Sequence, residues 1–183
     1  HEREHGNAFT AEQQERFLSH AKAHSKYYNY FLFYFSTGCR TGEIYTIKKK
    51  DIDFNNRRVH IHGTKTKGSN RTIPLFDSLL ELQDKFDDKI DSEFVFVVTK
   101  KYIREEFKKI VKAIGLDPEE YTVYSMRHSF ATRCVEKHID IKTISLWMSH
   151  ANIGTTLNNY VHIMSDYEQT QAEIFNKNNV AKT

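Results

Sequence analysis

The sequence predicts a mainly α-helical domain with one small antiparallel β-sheet, and three observations carry that reading. Apolar residues recur at spacings of three and four along most of the chain. Only one stretch, residues 59–62 with its return at residues 71–75, alternates as strands do, around a Gly-containing loop. Glycine, serine and threonine stand where helices should start and stop. With 183 residues the chain fits one ordinary domain able to bury a sizeable core.

In chain order, residues 1–9 open with H-E-R-E-H-G-N and read as a charged linker. Thr10 with Gln13 makes a capping box, and Phe17, Leu18 and Ala21 behind it predict a first helix over residues 10–24. Residues 27–35 are almost wholly apolar and aromatic, which predicts a buried second helix stopped by Gly38. Arg40 then opens a third helix, where unpaired backbone N–H groups favour an anion. After Asp51 to Phe54, N-N-R-R signals a turn, V-H-I-H a strand, T-K-T-K-G-S-N a loop and R-T-I-P-L the returning strand. Helices follow over residues 79–86 and 102–114, with S-E-F-V-F-V-V between them as a short strand or a buried connector. Gly115 ends the second of these, and Pro118 marks a turn. Ser125 caps a helix carrying Met126, Phe130, Ala131 and Cys134, with Arg127 and His128 off its core stripe. Ile141, Ile144, Ser145 and Met148 predict a helix that ends near Ser149 and His150. Thr155 or Thr156 then caps a short helix carrying Tyr160, and a helix over residues 165–176 closes the chain.

Composition narrows the function classes. The net charge is only +3, but basic residues cluster at Lys48 to Lys50, Arg57 and Arg58, Lys65 to Arg71, and Lys100 to Lys112. Cations lined up along a groove attract a phosphate backbone, so a nucleic acid is an expected class of partner. Cys39 and Cys134 are far apart and form no C-x-x-C pair, which points to buried thiols in a reducing compartment rather than to a zinc site or a disulfide. His60 and His62 share a strand face without a third ligand nearby in sequence, so no metal is assigned. No apolar run is long enough to span a bilayer and no signal segment opens the chain, so no membrane partner is expected and the location should be cytoplasmic.

Five motifs carry the chemistry: R-T-G-E at residues 40–43, K-T-K-G-S-N-R-T-I-P-L at 65–75, R-H-S-F-A-T at 127–132, S-H-A-N-I-G-T-T at 149–156 and N-N-Y-V-H at 158–162. In this order and at these separations the chain resembles the catalytic domain of the tyrosine recombinases, the phage-integrase family, over residues 9–164. The resemblance implies the DNA breaking-rejoining fold. It also implies a catalytic domain at residues 10–164, preceded by a linker from a separate N-terminal DNA-binding domain and followed by a C-terminal helix and tail at 165–183. The reaction implied is site-specific recombination or integration through a 3′-phosphotyrosyl intermediate, without metal, nucleotide or other cofactor, for a phage or conjugative transposon. A tetramer on DNA and accessory DNA-bending or directionality proteins come with it. A type IB topoisomerase-like relaxing enzyme and a non-catalytic DNA-binding module stand as the alternatives.

The residue types suit that reaction. A phosphodiester is already anionic, so a transition state with more charge on its oxygens needs fixed positive donors. Arginine's planar fork holds two phosphate oxygens and keeps its proton, and Arg40 and Arg127 are read as the clamp. A phenol makes a reversible phosphate ester once cations or a base offset its pKa near ~10; Tyr160, ten positions after His150, is the candidate nucleophile. The leaving 5′ oxygen needs a proton, which the resemblance assigns to a hairpin lysine; spacing to Pro74 favours Lys65 over Lys67, which would then contact the DNA backbone with Arg71. His150 is expected to hydrogen-bond the phosphate or the tyrosine, or else to cap the preceding helix. Glu43 is expected to orient an arginine or the hairpin lysine, and His128 to be structural. Where the family has H-x-x-R, this chain has Tyr124-Ser125-Met126-Arg127. The Tyr124 hydroxyl still makes hydrogen bonds but cannot serve as a base at neutral pH.

Overall fold

The computed structural model describes residues 6–63 and 70–150. Helix α1, Ala11–His24, starts at the predicted capping box: Thr10 Oγ1 accepts the Gln13 N–H, and the Gln13 side chain accepts the Thr10 N–H. Helix α2, Tyr28–Thr37, ends at Gly38, whose φ of 56° is left-handed. A Cβ on Gly38 would also lie 2.3 Å from Phe130 Cδ1, so glycine is required there twice over. The single turn α3, Thr41–Ile44, begins directly after Arg40.

Strands β1 (Ile52–Asp53), β2 (Arg58–Ile61) and β3 (Arg71–Pro74) form one antiparallel sheet in that order, with Val59 opposite both Ile52 and Ile73. The hairpin was legible in the alternation; β1 was not, because two residues carry no period. Beyond the sheet, residues 79–86 are not one α-helix. Asp77–Leu82 is a 3-10 helix that runs into the short α4, Gln83–Asp87. Leu79 and Leu82, the two buried residues of that 3-10 segment, are three apart, the repeat of a helix with 3.0 residues per turn. Residues 92–98 are a connector rather than a strand, buried only at Val95 and Phe96 while Phe94 and Val97 stay exposed, and an isolated bridge joins Phe94 to Lys48.

Helix α5, Lys100–Ala113, buries Ile103, Phe107, Ile110 and Val111, and Gly115 follows with a φ of 78°. Helix α6, Ser125–Glu136, packs most closely on α2. Ser125 is its first residue rather than its cap, because Ser125 Oγ accepts the Thr122 N–H and closes the preceding turn. Helix α7, Ile141–Met148, is capped by Asp140, which accepts the Thr143 N–H.

The main core is aromatic. Phe9, Phe17, Phe31, Phe35, Phe107 and Tyr121 pack edge-on, stacked or tilted, with centroids 4.5 to 6.1 Å apart. Phe9 is fully buried, its N–H donates to Ser129 Oγ, and the Asn7 N–H donates to Glu120 O. Phe9, placed at the end of the expected linker, is therefore part of the packed body. A smaller cluster of Phe130, Ala131, Cys134, Val135, Ile144 and Met148 joins α6 to α7, with Phe76 and Trp147 against it. Both thiols, Cys39 and Cys134, are buried and free, and burial pushes each up to about 12.

Candidate active site

Four of the predicted site residues converge where α7 ends. The last turn of α7 exposes carbonyls that no longer have a helical partner, and three successive ones are taken by three different arginines. Arg71 Nε donates to Trp147 O at 2.5 Å, Arg127 Nη2 to Met148 O at 2.6 Å and Arg40 Nη2 to Ser149 O at 2.5 Å. Ser149 adopts a φ of 52°, which turns the chain out of the helix, and the His150 N–H donates back to Ser145 O. His150 is thus held by the same turn that the arginines grip.

Arg127, off the core stripe of α6 as its spacing predicts, is nevertheless only 1% exposed and lies inside the site. Its Nη1 donates to Gly38 O, the carbonyl of the left-handed cap of α2. Among the described residues its Nε is buried with no hydrogen-bond partner. A buried donor left open is costly unless something else fills it. Burial pushes the Arg127 guanidinium below its ordinary pKa, Tyr124 opposes that shift, and Arg40 and Arg71 reinforce it. This is an electropositive pocket with a spare donor.

Glu43 is the counter-charge. Its side chain is fully buried and accepts from four donors: the Arg40 N–H at 2.7 Å, Arg40 Nη1 at 3.0 Å, and Arg71 Nη1 and Nη2 at 3.1 and 2.9 Å. Burial alone would raise its pKa, but the hydrogen bonds and charge of Arg71, joined by those of Arg40, outweigh burial and hold the carboxyl below the ordinary range. The expectation that Glu43 orients an arginine agrees with this geometry. The expectation for Arg71, a DNA contact on the hairpin, does not: its side chain is 8% exposed and turned inward.

Burial, then the charges of Arg127, Arg40, Arg71 and His128, push the His150 imidazole down to about 4. It is neutral at physiological pH. Tyr124 immediately precedes α6, its ring set edge-on to His128 with centroids 4.8 Å apart, and it stands near enough to Arg127 to act on that guanidinium electrostatically. His60 and His62 stand on one strand face with rings 4.7 Å apart, but His60 pairs with Thr72 Oγ1 and His62 Nε2 with Asp51 Oδ1. Among the described residues no three His, Cys, Asp or Glu side chains group as metal ligands do. Lys65, Lys67 and Tyr160 lie outside the described residues, as do the helices expected around Tyr160 and over residues 165–176.

Sequence reasoning missed the backbone half of this site. Carbonyls of residues 38 and 147–149 have no sequence signature of their own; the sharper clue was three arginines, each within or next to a motif, with a single nearby carboxylate to share.

A helical body carries a small hairpin sheet, and three arginines and a histidine meet where α7 ends. The model of the phage integrase family matches residues 7–166, and the chain belongs to that family. It is 29% identical to the transposase from transposon Tn916 of Enterococcus faecalis, over 92% of this chain and 51% of the relative. It is 32% identical to tyrosine recombinase XerA of Pyrococcus furiosus, over 68% and 46%. Among solved structures, the Tn1549 transposon integrase in complex with a circular intermediate DNA superposes with a TM-score of 0.77 at 25% identity, covering 95% of this chain and 67% of that one. The XerA recombinase crystal structure shares the fold with a TM-score of 0.71 at 18% identity, over 89% and 64%. The chain spans about half the length of the curated relatives it matches.

Proposed function

We propose that the protein is the catalytic part of a tyrosine recombinase that cuts and rejoins DNA at specific sites, in the integration or excision of a mobile element. The observation that carries this reading is the convergence of Arg40, Arg127 and His150 on one turn, ten positions before Tyr160, with Arg127 Nε unpaired among the described residues. In the reaction the two arginines hold the non-bridging oxygens of the scissile phosphate and gain strength as charge builds there. The Tyr160 phenolate attacks phosphorus, the P–O5′ bond breaks, and the leaving oxygen takes its proton from Lys65 or Lys67. Neutral His150 supplies a hydrogen bond without adding charge, and Tyr124 places a hydroxyl where the family has imidazole. The 3′-phosphotyrosyl bond conserves the ester's energy, so a 5′ hydroxyl from another strand reverses the step without nucleotide.

Duplex DNA is the partner; the solved relatives include complexes with DNA, among them XerH bound to difH and a lambda integrase dimer on a core site. The scheme also carries assembly as a tetramer on two sites, accessory DNA-bending or directionality proteins, a cytoplasmic location, a DNA-binding domain ahead of this one and a C-terminal helix over residues 165–176. Relaxation by a type IB topoisomerase uses the same ester chemistry, but family membership favours the recombinase. The test is a pool of nicked suicide duplexes with a randomised segment, incubated with the protein in chelator and resolved by denaturing electrophoresis. A covalent protein-DNA band is expected, and its absence at saturating DNA would overturn the reading.

A further inference from the structure

Arg71 is spent in a way that neither a DNA contact nor a general acid requires. It begins β3, on the returning arm of the hairpin, yet its guanidinium reaches two other elements at once. Nη1 and Nη2 take both oxygens of Glu43, and Nε takes the Trp147 carbonyl. Glu43 passes the grip to Arg40 through the Arg40 backbone N–H and Nη1, and Arg40 Nη2 returns to Ser149 O, two residues beyond Trp147. The chain of bonds is closed: Arg71, Glu43, Arg40, Ser149, Trp147 and back to Arg71. It ties β3, α3 and the end of α7 together around the pocket.

We propose that Arg71 is a positioning residue for strand cleavage, which through Glu43 and the Trp147 carbonyl fixes Arg40 and the turn bearing His150 in the geometry that receives the phosphate. The proposal rests on the strand-cleavage reading and deepens it. Three features separate this role from a backbone contact. The side chain is 8% exposed, so little of it is offered to DNA. Its fork is matched to a carboxylate in the bidentate manner that arginine alone provides, so lysine cannot replace it. The same guanidinium anchors the end of α7 that precedes His150, so its loss displaces the site at two points. A displacement of about 1 Å in a positioning group costs on the order of 10²-fold in rate.

The experiment measures two quantities for wild type, Arg71→Lys, Arg71→Gln, Glu43→Gln and the double variant Glu43→Gln/Arg71→Gln. One is DNA affinity against salt concentration, the other the single-turnover rate of adduct formation at saturating DNA, both on the nicked duplexes recovered from the randomised pool. Thermal unfolding confines the comparison to variants folded at the assay temperature, and the double variant, in which two amides can still pair, keeps it open if either single change unfolds the chain. Positioning predicts that Arg71→Lys and Arg71→Gln slow the adduct step on the order of 10²-fold while the slope of log affinity against log salt stays at the wild-type value. It predicts equally that the double variant is no slower than the worse single one, since both changes break one ring. A phosphate contact would instead leave Arg71→Lys near wild-type rate, and Arg71→Gln would lower the salt slope by about 0.9. That outcome, or losses that multiply in the double variant, overturns the proposal. No adduct from wild type would be a different failure, that of strand cleavage itself, and would remove this proposal with it.

Discussion

The aromatic core between α1, α2 and α5 is buried and the arginine pocket at the end of α7 largely so, but they are held in different ways. In the core, Phe17 touches the rings of Phe9, Phe31, Phe35 and Phe107, and each of Phe9 and Phe35 meets others in turn. Stability there is spread over many weak, non-directional contacts. In the pocket, one carboxylate serves two arginines and each carbonyl of residues 147–149 is gripped by one guanidinium. Directional bonds without duplicates fix atoms closely and fail individually. The difference teaches that the core's stability is shared among many contacts, whereas the geometry of the arginine cluster hangs on a few bonds.

The comparison breaks most sharply at Glu43. Removing one partner of a buried ion pair leaves the other charge uncompensated, so Glu43→Ala should cost about 3–5 kcal/mol and also abolish adduct formation. Urea denaturation checks the first effect; a loss below about 1 kcal/mol, the range of an exposed pair, would mean the pocket is not held by this carboxylate. Phe17→Ala should cost a similar stability, about 3–5 kcal/mol, yet leave the rate of adduct formation per folded molecule unchanged below the unfolding transition. Equal damage to that rate would show that core and pocket are not separable.

Gly38→Ala sharpens the boundary between the two, because Gly38 caps α2 and also lends its carbonyl to Arg127. A residue with Cβ pays about 1–2 kcal/mol for the left-handed conformation, and the approach to Phe130 adds to it. Stability should fall and adduct formation slow together, unlike either preceding variant; a melting scan and a cleavage time course on one preparation decide it.

The smallest expected effect is on pH. The His150 imidazole is pushed from 6.5 down to about 4, so between those values the unfolded chain binds more protons than the folded one and stability rises with pH. Above 6.5 this contribution is flat. Glu43, whose carboxyl lies below its usual 4.5, acts in the same sense at lower pH, its stability present above 4.5 and lost as pH falls through the folded value. Denaturation midpoints across this range should climb with pH, and His150→Gln should flatten the part above 4.5 only. An unflattened profile would mean that His150 is not held neutral.

How much of this was visible in the sequence follows the same division. The capping box at Thr10, the aromatic run that became α2 with its stop at Gly38, and the period of α5 were readable because each is local and set by spacing. The helix read over residues 79–86 is there, but its split into a 3-10 helix at Asp77–Leu82 and a short α-helix was not legible, because apolar residues three apart satisfy both periods. In the pocket, Arg40, Glu43, Arg127 and His150 stood out by motif, and the structure brings them together. The inward partners of Arg71 were not legible, because a basic loop reads as a DNA face whereas the hairpin's register turns that side chain toward Glu43. The carbonyls that position the arginines were invisible, since every residue has one and only the end of a helix makes it available.

Protease digestion of the covalent protein-DNA adduct, with mass spectrometry to locate the nucleotide-bearing residue, tests the central claim most directly. Tyr124 neighbours the arginine cluster and Tyr160 follows His150 by ten positions, so a single reaction discriminates between two phenols. The account predicts the phosphoryl group on Tyr160 and no adduct from Tyr160→Phe protein that still binds DNA. A phosphoryl group on Tyr124, or an undiminished adduct from Tyr160→Phe, would contradict it.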